Sequence, residues 1–60
     1  METKVYPVCF EDFDYENWTR ECGAEFIKLE PTPNGPQLYV RGTPEAHATF
    51  SADLGFGPLA

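Results

Sequence analysis

Sixty residues allow one compact domain, residues 1–60, whose core is marginal, since a chain of this size buries only about 60% of the surface its unfolded form exposes. Ten acids against four bases give a net charge of −6, which repels nucleic acid and anionic lipid headgroups and attracts basic protein surfaces. Five Phe, three Tyr and one Trp supply the apolar area that disordered chains lack.

The acids are unevenly placed. Residues 1–30 hold eight acids and three bases, whereas residues 31–60 hold two and one. No apolar run approaches the roughly 18 residues that span a membrane. The opening METKVYPVCFED lacks the pattern of a secretory signal. A cytoplasmic protein with reduced Cys9 and Cys22 is the expectation.

In chain order, TKVYPVCF (residues 3–10) reads as a strand, because Val5, Tyr6, Val8 and Phe10 favour extended backbone. Pro7 cannot donate to a ladder, which sends this strand to a sheet edge or gives it a break. The next stretch, FEDFDYENW, packs four carboxylates and four aromatic rings into nine positions. With Asp14 as N-cap, Phe13 and Trp18 take the two positions of a hydrophobic staple. Gly23 suits the left-handed residue beyond the helix end, which predicts a helix over 15–22. Tyr15, Trp18 and Cys22 then share its inward stripe, while Glu16, Asn17, Arg20 and Glu21 face out. Glu16 precedes Arg20 by four residues, the favourable order for a pair.

Residues 24–30 and 37–41 predict a hairpin around PTPNGP, with Pro33 and Asn34 at the centre of a type I turn. TPEAHATFSADLG carries Thr43 as N-cap, Pro44 at N1 and Gly55 as a stop, a helix signature that buries Ala46, Phe50 and Leu54. The same residues also alternate as a strand would. The predicted architecture is α+β, β-α-β-β-α with a three-stranded antiparallel sheet. The alternative is a four-stranded antiparallel sheet with one helix. Phe56 and Leu59 in the tail either fold back onto the core or insert into a partner.

The soft ligands are Cys9, Cys22 and His47. Twelve residues separate the thiols, unlike the close pairs of zinc sites. Two buried thiols are expected, with His47 partly exposed. Neither Cys has an identifiable orienting partner for nucleophilic work. The carboxylates of residues 11–16 lie in an exposed segment, not in a pKa-shifting cleft. No Gly-rich phosphate loop and no basic patch occurs. No enzyme activity, metal or cofactor is therefore expected, and no direct binding of nucleic acid or membrane.

Protein binding remains. Phe10, Phe13 and Tyr15 cannot all face the interior that takes Trp18, and an exposed ring beside carboxylates makes an anchor with an electrostatic guide. The candidate partner-binding residues are Glu11, Asp12, Phe13, Asp14, Tyr15, Glu16, Trp18 and Glu21. The expected partner is a protein with a basic surface, such as one belonging to a nucleic-acid-handling complex, which the protein would inhibit. Small anti-defence inhibitors of phages and mobile elements share this profile, an analogy of class without a shared motif. The alternative is an accessory subunit stabilised within a larger assembly, held through the apolar tail.

Overall fold

The computed structural model describes residues 1–59. The elements are β1 (Glu2–Pro7), α1 (Tyr15–Glu21), β2 (Glu25–Glu30), β3 (Gln37–Gly42) and α2 (Pro44–Leu54). The strands form one antiparallel sheet in the order β1-β3-β2, so the small compact α+β domain has the predicted β-α-β-β-α order. Residues 44–54 are helical, which removes the four-stranded alternative.

Alternation along the strands divides the sheet into two faces. Tyr6 pairs with Leu38, and Phe26 with Val40; these side chains point to the helices and join the core with Tyr15 and Phe50. Val5, Tyr39 and Lys28 form one cross-strand row on the other face, where the Lys28 ammonium sits 4.6 Å from the centre of the Tyr39 ring. The register of β2 shifts between Phe26 and Lys28. Ile27 is the extra residue of this bulge and stays exposed, while Phe26 and Leu29 both reach the core. Strict alternation hides that arrangement in the sequence.

β1 ends at Pro7, three residues sooner than the predicted stretch. Its edge position is as expected. Val8 stays buried because its N–H donates to Pro36 O (3.1 Å), which pins the chain to the hairpin end. Phe10 is left outside, 67% exposed. The hairpin turn closes with the Gly35 N–H donating to Thr32 O at 3.0 Å, which places Pro33 and Asn34 at its centre.

Both helices start and stop as their local chemistry dictates. Asp14 Oδ1 accepts from Asn17 N at 3.2 Å, and Thr43 Oγ1 accepts from Ala46 N at 3.2 Å. Gly23 (φ +85°) and Gly55 (φ +92°) take the left-handed conformation past each end. Arg20 does not join Glu16; its Nη2 donates to Asn17 Oδ1 at 3.0 Å. Thr19 is the buried residue of α1 that polarity conceals. Its hydroxyl donates to Tyr15 O and Glu16 O within its own helix (2.9 and 3.1 Å), so the side chain packs like an apolar one. Gly42 lets the layers approach: a Cβ there would lie 3.2 Å from those of both Ala24 and Ala46.

His47 is buried, 3% exposed, contrary to the partly exposed position expected for it. Its Nε2 lies 2.8 Å from Glu2 O and its Nδ1 2.7 Å from Tyr6 Oη. A carbonyl only accepts, so Nε2 carries the hydrogen; in the neutral ring Nδ1 then accepts from the tyrosine hydroxyl. This ring ties α2 to both ends of β1, and burial follows because each nitrogen is satisfied. Tyr6→Phe strands Nδ1 in the interior and should destabilise the fold by about 1–3 kcal/mol. Urea denaturation measures it; a loss below a few tenths would contradict this assignment.

Candidate functional site

The residues of FEDFDYENW part company at the surface. Tyr15 is buried at the first turn of α1, and Phe13 stands half exposed over it, with ring centres 5.3 Å apart. Phe13 also meets Trp18 at 5.2 Å, the contact a hydrophobic staple provides. Trp18 packs on Phe50 at 5.3 Å, and Phe50 meets Tyr6 edge-on at 5.0 Å. A continuous run of rings thus leads from exposed Phe13 to the centre of the core.

Beside this run lies an apolar groove of about 300 Å³. Its walls come from Val8, Tyr15, Trp18 and Leu54, and its margin from Cys9, Phe10, Phe13 and Phe56. The segment after β1, helix α1 and the tail after α2 meet there. The tail is held by Leu59 N–H donating to Val5 O at 2.7 Å. Its backbone therefore returns to β1, while the side chains of Phe56 and Leu59 keep 42% and 47% of their exposure. A wider depression of about 590 Å³ between α1 and β2 includes Glu16, Arg20 and Glu25; it is more open and offers less apolar enclosure.

Charge divides the molecule as well. Lys4, Lys28 and Arg41 pair with Glu2, Glu30 and Glu25, all within the sheet. The other seven acids, set against Arg20, account for the whole net charge of −6. They are Glu11, Asp12, Asp14, Glu16 and Glu21 around α1, with Glu45 and Asp53 on α2. Glu11 and Asp12 are exposed between Phe10 and Phe13, two margin residues of the groove. Burial raises the pKa of Tyr15, a hydrogen bond with the Phe10 backbone opposes it, and Cys9 and Asp12 nearby add smaller upward pushes.

Of the candidate contact residues, Glu11, Asp12, Phe13, Glu16 and Glu21 are accessible. Asp14 is exposed but occupied as a cap. Trp18 presents one side to the groove, and Tyr15 supplies wall rather than an exposed anchor. The contributions of Val8, Cys9, Leu54 and Phe56 depend on distant segments meeting, which local spacing does not reveal.

The two thiols are free but unlike each other. Cys9 is exposed, not buried as expected, because β1 has already ended. Cys22 is half-buried and donates to Asp53 Oδ2 (3.5 Å), which also accepts from Trp18 Nε1 (3.3 Å). Burial first, and then this bond to a carboxylate, raise the Cys22 pKa. Iodoacetamide near neutral pH should therefore modify Cys9 well before Cys22. Asp53→Asn should speed modification of Cys22 without equalising the two, since burial persists. Peptide mass spectrometry follows both sites, and equal rates in the unaltered protein would contradict the placement.

Among the described residues, no three His, Cys, Asp or Glu side chains are placed to hold a metal ion, and no helix is long and apolar enough to cross a membrane. Comparison of the chain with protein-family models, curated proteins and solved structures finds no match.

Proposed function

We propose that the protein acts by binding another protein, without chemistry of its own, and that its acidic face covers a basic surface of that partner. One observation carries this reading: exposed Glu11 and Asp12 sit in the chain between Phe10 and Phe13 at the margin of the apolar groove, and Asp53 accepts a hydrogen bond from Trp18 in its wall. Apolar contact supplies affinity, while carboxylates speed encounter and exclude acidic surfaces. A surface that holds DNA or RNA is basic, so a nucleic-acid-handling complex is the partner type proposed, with inhibition by occupancy as the result. The class analogy to phage-borne antagonists of host defence rests on small size and acidic charge. Two free thiols suit a cytoplasmic setting, the host's if the protein is phage-encoded.

The exposed side chains of Phe56 and Leu59 favour a second reading, an accessory subunit held in an assembly by apolar contact. Salt separates the two. The immobilised protein is used to recover partners from source-cell lysate, with stepwise salt elution and identification by mass spectrometry. A basic partner released as salt rises, and not retained after reversal of Glu11, Asp12 and Glu21 to Lys, is the expected result. A partner that persists through high salt and is lost when residues 56–60 are deleted would favour the assembly reading.

A further inference from the structure

We infer that the groove seats an apolar anchor of a partner segment whose flanks carry Lys or Arg. This rests on the protein-binding reading above and adds what the groove takes. Its size is the first argument. A buried apolar cavity of about 150 Å³ accepts benzene, so about 300 Å³ suits one or two bulky side chains. An extended flat surface would leave the groove unfilled.

Chemistry narrows the occupant. The margin is aromatic at Phe10, Phe13 and Phe56, while Glu11 and Asp12 follow Phe10 directly in the chain. These carboxylates repel the phosphates that accompany a nucleic-acid base and the headgroup of a fatty acid. A second copy of this chain would bring the same acidic side. Lysines or arginines beside an apolar residue satisfy both requirements, with the anchor desolvated and the cations left at a wet rim. Trp18 is the sole tryptophan and lines the groove, so its emission reports occupancy.

The test uses two short synthetic peptides of equal lysine content and no tryptophan. One carries a central Leu-Leu, the other Ser-Ser. The Leu peptide should bind about tenfold to a hundredfold more tightly, as burial of one such side chain implies, and should change Trp18 emission. Phe10→Ser with Phe56→Ser, both at exposed positions, should abolish that preference and leave the weak lysine-dependent binding. Retained circular dichroism verifies that this variant is folded. Equal binding of both peptides with unchanged emission would overturn the inference while leaving the charge-based reading intact. Loss of neither Leu preference nor emission change in the variant would also overturn it. Binding of neither peptide, while a basic captured partner still binds, overturns only the inference. If no basic partner binds either, both readings fall. An uncharged hydrocarbon probe that binds as tightly, indifferent to Glu11→Lys and Asp12→Lys, would assign the groove to a small apolar ligand instead.

Discussion

Phe50→Ala is expected to remove most of the folding stability of the protein. Phe50 is fully buried on α2 and its ring meets both Tyr6 and Trp18 edge-on. Truncating such a ring destabilises a fold by about 3–5 kcal/mol. At roughly 0.05–0.15 kcal/mol per residue, a 60-residue domain has about 3–9 kcal/mol in total. The substitution therefore removes most of the stability, and it unseats Trp18 at the wall of the groove. Phe56→Ala serves as the contrast, with an effect of about 1 kcal/mol or less because Phe56 keeps 42% of its exposure and lies outside the core. Urea denaturation followed by circular dichroism compares them. A Phe50→Ala protein that loses less than about 1 kcal/mol would mean that the core is centred elsewhere.

Reversal of Glu11, Asp12 and Glu21 to Lys is expected to weaken partner binding on the order of 100-fold, if each reversal costs a net of about 1 kcal/mol. All three are exposed, and none caps a helix. Glu21 lies in the last turn of α1, where a cation suits the helix dipole better than an acid. The reversals bring the net charge from −6 to zero. A control of equal net charge reverses Glu2, Glu25 and Glu30 instead. Their ion pairs are solvent-exposed and contribute little to stability. The control should bind within a few fold of the unaltered protein. Calorimetry or surface plasmon resonance against the captured partner measures both variants. Equal losses would mean that net charge acts without regard to face.

Much of this fold is legible because its signals are local. Asp14 and Thr43 cap helices by chemistry confined to four residues, and Gly23 and Gly55 stop them by a backbone conformation that other residues resist. The hairpin follows from Pro33, Asn34 and Gly35 in sequence. What escapes is non-local. His47 reads as a polar surface residue until Tyr6 and the Glu2 carbonyl are brought to its two nitrogens. Ile27 reads as a strand interior until the bulge turns it out. The acid–aromatic stretch is legible as a helix start, and Phe13 as the ring left at its entrance. The groove is not, because Phe56 lies 46 positions beyond Phe10, and only the return of the tail to β1 brings it to the same margin.

The central claim is that one side of the molecule, the acidic groove face, makes the contact. Amide chemical-shift mapping of the isotope-labelled protein, titrated with the captured partner, tests this most directly. The largest shifts should fall within residues 8–21 and 53–59, with a strong change at the Trp18 indole N–H. Lys28, Tyr39 and Arg41, on the opposite face of the sheet, should move little. Shifts concentrated on that sheet face, with the Trp18 indole unmoved, would contradict the account.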